Sequence, residues 1–254
     1  MFLKIKHFVI FITIYFFVSC ADSLQIPNKI EAKKISVDLQ IEGSDSIKTF
    51  ITPYRERINT ILDSTLAYVS SDLVKDDGQL NTSAGNFLAD LVLEQANPIF
   101  ESRKGKSIDF VVLNHGGIRA IVSKGSVNAR TAYQVMPFEN YIVVVEMDGN
   151  AVRDLLTFLA KSGRAHPISN MELVLDEAGN YTKIMINGQP FDENKTYYVA
   201  SNDYLIQGGD EMGFFKSRTS VTNTDYLVRN AIIDYFKKMD TITSTVDNRF
   251  IQLN

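Results

Sequence analysis

The feature that most constrains this chain is an apolar run that stops abruptly. Residues 110–113 (FVVL) break directly into Asn114-His115-Gly116-Gly117-Ile118-Arg119. A short apolar run bounded by turn-formers fits a strand buried in a sheet. Two adjacent glycines, neither carrying a Cβ, let the backbone turn sharply and approach another group closely. Asn114 and Arg119 flank that turn with amide and guanidinium donors. The stretch 109–140 reads as a polar binding loop at the end of a buried strand, or equally as a tight turn with solvated polar flanks.

The rest of the chain alternates between two periods. Ile35, Val37, Leu39 and Ile41 alternate with polar residues as in a half-buried strand. From Ile47 the spacing becomes helical: Ile47, Phe50, Ile51, Tyr54, Ile58, Ile61, Leu62 and Leu66 share one face, which is expected to pack on the core. Pro53 either kinks that helix or starts it with Thr52 as cap. Phe87, Leu88, Leu91 and Val92 mark a second helix, capped by Thr82 or Ser83 and ended by Pro98 and the charged residues 101–106. A short helix is expected at 129–135, a buried strand at 141–147, and a helix carrying Val152, Leu155, Leu156 and Leu159. Residues 171–175 and 181–186 flank a turn and read as a hairpin. Another strand covers 196–200. Thr222-Asn223-Thr224-Asp225 approximates a capping box opening a last helix with Tyr226, Leu227, Ala231, Ile232, Tyr235 and Phe236. Interleaved helices and strands with an antiparallel hairpin predict a mixed α/β (α+β) fold, with helices packed on mixed sheets.

The first residues follow a different logic. Lys4 and Lys6 precede an apolar segment at 8–18 that is short for a bilayer span and ends in Val18-Ser19-Cys20. Cys20 is the chain's single cysteine, so it has no disulfide partner. This pattern resembles a lipobox, in which Cys20 is lipidated and becomes the mature N-terminus; an ordinary cleaved signal peptide is the alternative. The expected organisation is a lipoprotein signal peptide over 1–20, a tether and N-terminal strand over 21–44, and one domain over 45–254. The expected location is extracytoplasmic, held to a membrane by the lipid anchor. With 26 Lys and Arg against 30 Asp and Glu, and no basic patch, nucleic acid is not an expected partner.

The chemistry available to the side chains is narrow. Beyond the first 20 residues the chain has two histidines, His115 and His166, and no cysteine. A binuclear metallohydrolase needs several His with Asp and Asn ligands, and no such run occurs. There is no phosphate-binding Gly-x-x-x-x-Gly-Lys loop and no Gly-x-Ser-x-Gly elbow. His115 is either a donor or stacking ring toward a ligand, or an exposed loop residue. His166, before Pro167, reads as a loop residue.

Four motifs in order carry a resemblance. Gly85-Asn86-Phe87-Leu88-Ala89-Asp90, Asn114-His115-Gly116-Gly117-Ile118-Arg119, Pro137-Phe138-Glu139-Asn140, and Asn202-Asp203-Tyr204-Leu205 through Gly208-Gly209-Asp210 resemble the C-terminal domain of the 5'-nucleotidases. Val246-Asp247-Asn248-Arg249-Phe250 is similar to that domain's usual end. The resemblance spans roughly residues 45–252. It implies that the domain binds the nucleoside part of a nucleotide, while divalent metals and phosphate chemistry belong to a separate metallophosphatase domain. By that resemblance Phe138 and Tyr204 are walls of a base-stacking slot. Asp210 accepts from ribose hydroxyls, Arg119 donates to the ribose or the substrate's polar edge, and Asn114 donates to the base. Gly208 and Gly209 let the backbone close under the sugar. His115 and Gly117 complete the expected binding set. Two departures stand out: His115 occupies a position where Gly, Ser or Ala is common, and Lys75 is the only cation over 71–84, where the family often has an arginine. The expectation is the substrate-binding half of a split 5'-nucleotidase, inactive alone, with no metal or cofactor in this chain and the metals on a partner metallophosphatase. The alternative is a non-catalytic nucleoside- or nucleotide-binding lipoprotein.

Overall fold

The structure is a computed structural model that describes residues 29, 31–36 and 41–253. The expected signal peptide and the lipidation site Cys20 lie outside the described residues, as do residues 37–40 of the expected first strand; residues 31–36 carry no strand. The chain divides into two compact units, residues 1–50 and 51–254. Helix α1, Asp45–Asp63, contains that boundary and runs through Pro53. No residue of α1 is buried, so its apolar face is not part of the core. A helical period identifies which side chains share a face but not whether anything covers it.

The second unit is built on a five-stranded sheet. Its strands are β2 (Phe110–Val112), β4 (Tyr141–Asp148), β5 (Ile168–Ser169), β9 (Thr196–Asn202) and β10 (Ser220–Leu227), in the order β10-β4-β9-β2-β5. β2 and β9 are parallel, and the other pairs are antiparallel. Side chains of a strand alternate between faces, and both faces of this sheet are covered. Val111, Ile142, Val144 and Ala200 pack with helices α2 (Ser83–Lys104) and α6 (Val228–Lys238). Phe110, Val112, Val143, Val145 and Val199 pack with α4 (Gly149–Ser162) and the hairpin β6–β7 (Met171–Leu175, Tyr181–Ile186). This is why 141–147 reads as a continuous apolar strand.

Two smaller mixed sheets flank it. One orders β11 (Thr241–Ile242), β1 (Thr65–Val69) and β3 (Gly125–Asn128); the other orders β12 (Phe250–Gln252), β6, β7 and β8 (Gln189–Pro190). The mixed α/β expectation and the hairpin hold. Thr82 caps α2 through its hydroxyl on the Gly85 N–H (3.1 Å). Pro98 does not end that helix, which continues to Gly105 in the left-handed region (φ 64°). Asn128 and Thr131 form a capping box on α3 (Ala129–Val135).

The expected capping box at Thr222–Asp225 is corrected. Residues 220–227 form β10, paired antiparallel with β4, and α6 starts only at Val228. The buried Thr224 hydroxyl donates to the Ile142 carbonyl (2.7 Å) instead of capping a helix. A segment rich in β-branched residues at the edge of an open sheet takes the strand, because pairing supplies partners that a local cap cannot match.

The C-terminal segment is fastened to α2 by two of the motifs. Asn86 donates to Asn81 and to the Thr245 carbonyl, while Asn81 donates to the carbonyls of Asp247 and Phe250. Arg249 grips both oxygens of Asp90 (2.8 and 2.9 Å) and also Asp247 and the Ile168 carbonyl. The Gly85–Asp90 and Asp247–Phe250 motifs are therefore joined as structure.

Candidate functional site

Three loops meet at one end of the central sheet. Because β2 and β9 are parallel, both finish there; because β4 is antiparallel to β9, it begins there, with Ile142 opposite Asn202. After β2 the chain enters a 3-10 turn, His115–Gly117. Before β4 lies the Pro137-Phe138-Glu139-Asn140 loop. After β9, Asn202 caps a one-turn helix, α5 (Asp203–Ile206), through the Leu205 N–H (2.9 Å), and Gly208 (φ 97°) reverses the chain. These loops enclose a cavity of about 320 Å³. The first loop lines it with Asn114, Gly116, Gly117 and Arg119, the second with Phe138 and Asn140, the third with Tyr204 and Asp210.

Asp210 ties the loops together. Its Oδ2 accepts from Asn114 Nδ2 at 2.6 Å and its Oδ1 accepts from the Tyr204 hydroxyl at 3.2 Å. Asp210 and Glu211 both have left-handed backbones (φ 50° and 63°), a conformation that costs a side-chain-bearing residue about 1 kcal/mol and collects at functional sites. Two glycines are required by close approach. A Cβ on Gly117 meets Asn114 Oδ1 at 2.8 Å, and a Cβ on Gly209 meets the Tyr204 ring at 2.5 Å. Tyr204 is thus laid against the Gly209 backbone.

Phe138 and Tyr204 are 39% and 48% exposed, so neither is a core aromatic. The Arg119 guanidinium carbon lies 5.9 Å from the Phe138 ring centre. The Phe138 loop is held from behind by Arg229 on α6, a residue that sequence reasoning did not single out. Arg229 is buried; its guanidinium lies 4.3 Å from the Tyr133 ring centre and donates to the carbonyls of Pro137 (3.1 Å) and Phe138 (3.3 Å).

Of the residues expected from sequence, Asn114, Gly117, Arg119, Phe138, Tyr204 and Asp210 line one cavity, and Gly208 and Gly209 shape the loop that presents Tyr204 and Asp210. His115 does not line it. Its Nε2 lies 3.3 Å from Asp76 Oδ1, and its backbone N–H donates to His166 Nδ1 (3.4 Å). The Asp76 carboxylate and the His166 ring hold His115 away from the slot. His166 lies in a loop as expected, but it is buried against Phe158 (ring centres 5.3 Å apart). Burial first, and then the neighbouring His115, lower its pKa to about 4. Asn140 and Gly116 were missed as lining residues although both sit inside the quoted motifs. Among the described residues, no group of three or more His, Cys, Asp or Glu is placed to hold a metal ion.

Comparison with known proteins decides the family. The model of the 5'-nucleotidase C-terminal domain matches residues 65–217, more than half of the chain. The chain belongs to the 5'-nucleotidase C-terminal domain family. Protein UshA of Yersinia enterocolitica is 26% identical over 211 residues, covering 82% of this chain and 37% of that protein. The cell wall protein Lmo0130 of Listeria monocytogenes is 27% identical over 195 residues, covering 67% of this chain and 24% of that protein. The chain thus spans well under half the length of these relatives. Among solved structures, a 5'-nucleotidase precursor from Thermus thermophilus superposes with TM-score 0.67 at 22% identity, over 82% of this chain and 43% of that one. The NAD nucleotidase of Haemophilus influenzae gives TM-score 0.62 at 17% identity, over 83% and 42%. At these identities the structures establish the shared fold.

Proposed function

We propose that the slot binds the nucleoside part of a nucleotide. The observation that carries this reading is the convergence of two half-exposed rings, Phe138 and Tyr204, with the Asp210 carboxylate on one cavity. A cavity near 300 Å³ is in the range used for small ligands. Aromatic walls stack any base at about 1–3 kcal/mol per base, and a carboxylate pinned by two donors offers its remaining lone pairs to a sugar's hydroxyls. Arg119, exposed beside Phe138, donates to the polar edge of the ligand, and Asn114 fixes Asp210 while reaching the base.

The ligand is a substrate only in company. The chain acts as the substrate-binding half of a split 5'-nucleotidase, with a metallophosphatase chain supplying divalent metals and the hydrolytic step. It works outside the cytoplasm, anchored through Cys20; a relative described as a cell wall protein agrees with that location.

Calorimetry with adenosine and AMP tests the slot. Both bind, Phe138→Ala weakens both by about 5- to 150-fold, and Asp210→Ala weakens both by at least about tenfold. Failure of every nucleoside and nucleotide to bind, or variants that bind as well as the parent, sinks the reading. The split arrangement is tested by AMP hydrolysis with added divalent metal. The chain alone is inert and a co-purifying metallophosphatase gains activity on mixing. Turnover by the chain alone at enzymatic rates disproves the split arrangement, and tight binding with no partner recovered favours a non-catalytic binding protein.

A further inference from the structure

A second cavity, about 420 Å³, shares a wall with the slot, because Asp210 lines both. Lys161 and Ser162 at the end of α4, Arg164 and His166 in the turn beyond, and Glu211 line the rest. Neither the Lys161 nor the Arg164 side chain makes a hydrogen bond or ion pair with any described residue. Between them lies His166, only 4% exposed. Its Nδ1 accepts the His115 N–H, and the ring also meets the Leu113 backbone. With its pKa near 4, His166 is neutral at pH 7 and adds no charge to this space. Two cations without partners, Lys161 and Arg164, around one concave space form an anion-binding pair. Opposing them is Glu211, which is exposed; Asp210 is already engaged by Asn114 and Tyr204.

We propose that this annex binds a phosphate ester carried on the 2' or 3' oxygen of the ribose whose nucleoside occupies the slot. The inference rests on the nucleoside reading of the slot. If Asp210 takes the ribose hydroxyls, the space beyond Asp210 lies beyond the hydroxyl edge of the sugar. One free hydroxyl still donates to Asp210 while the esterified oxygen carries its phosphate toward Lys161 and Arg164. A phosphate monoester has the acceptor oxygens to meet a guanidinium fork and an ammonium together. A 5'-phosphate leaves the sugar at another position and does not reach the annex.

The test is calorimetry on the full chain at low salt with adenosine and its 2'-, 3'- and 5'-monophosphates. The parent and the Lys161→Gln, Arg164→Gln and double variants are compared. The 2'- or the 3'-phosphate binds at least about tenfold tighter than adenosine, and the two arms identify which. The double variant abolishes that gain, leaves adenosine affinity unchanged and does not alter the affinity for the 5'-phosphate. Added salt erodes the gain in the parent. Both side chains project into solvent, so unfolding midpoints equal to the parent's show an intact fold. Adenosine binding with no gain from either the 2'- or the 3'-phosphate, or a gain that survives in the double variant, overturns the annex alone. Absence of adenosine binding overturns the nucleoside slot, and the annex inference with it.

Discussion

Tyr204 has no freedom to choose its place: the Gly209 backbone lies under its ring, and its hydroxyl is bound to Asp210. Gly209→Ala puts a methyl group 2.5 Å from ring carbons, so the ring swings off. We expect nucleoside affinity to fall at least about tenfold with a small change in unfolding midpoint, measured by calorimetry and thermal unfolding on the same samples. His166 makes a pH prediction. Its folded-state pKa, near 4, lies below the ordinary 6.5, so between those values the unfolded chain binds more protons and stability falls as pH falls. The loss is on the order of 3 kcal/mol by pH 4. Denaturant unfolding at pH 7 and pH 4.5 measures it, and His166→Gln removes this part of the pH dependence. If the variant keeps the full slope, His166 is not its source. Phe138, Tyr204 and Asp210 were legible from sequence because they sit in ordered motifs. The burial of His166 was not, since Arg164-Ala165-His166-Pro167 has no period and the packing of Phe158 on its ring is purely tertiary.

At the scale of elements, sequence pattern succeeded where local signals and packing agree. The apolar run over 141–147 is a strand covered on both faces, and residues 171–175 and 181–186 pair as a hairpin. It failed where tertiary pairing overrode a local cue, as at β10, and where a helical stripe was taken for a core face, as in α1. Pro98 misled for a simpler reason: a proline removes one backbone donor, and a 22-residue helix with much of its first half buried tolerates the loss. The Arg249 fastening makes the sharpest prediction here. Arg249 is mostly buried and bridges Asp90, Asp247 and the Ile168 carbonyl, so Arg249→Ala takes the cation from two carboxylates, leaving Asp90 the Ser169 hydroxyl and Asp247 the backbone N–H of position 249. We expect a destabilisation of about 3 kcal/mol in chemical denaturation. Nucleoside affinity under native conditions changes less than about twofold, because no slot residue is touched.

On the scale of the whole molecule, both cores that cover the central sheet are built from residues 67–250. Residues 51–254 form one compact unit. A chain beginning at Asp45 is therefore expected to keep the parent's unfolding midpoint and adenosine affinity; a shift of more than a few degrees indicates that the earlier residues brace the fold. The general architecture was legible from sequence because alternation, caps and glycine turns fall in a consistent order. What sequence could not convey is which strands are neighbours, since β2 and β9 meet across 89 residues, and it is this pairing that assembles the site.

The bond from Asn114 to Asp210 joins positions 96 residues apart. It exists only when β2 and β9 have found their places, and the slot also needs β4, whose preceding loop carries Phe138. No fragment lacking one of those strands can present the slot, so binding is a gauge of complete folding. Conversely, a ligand seated there draws on the folded population alone: at one hundred times its dissociation constant it adds about 2.7 kcal/mol to the stability of the whole unit. A rise in midpoint that grows with adenosine concentration and reaches every spectroscopic probe equally is the signature. The slot is in this sense a latch on the sheet that builds it.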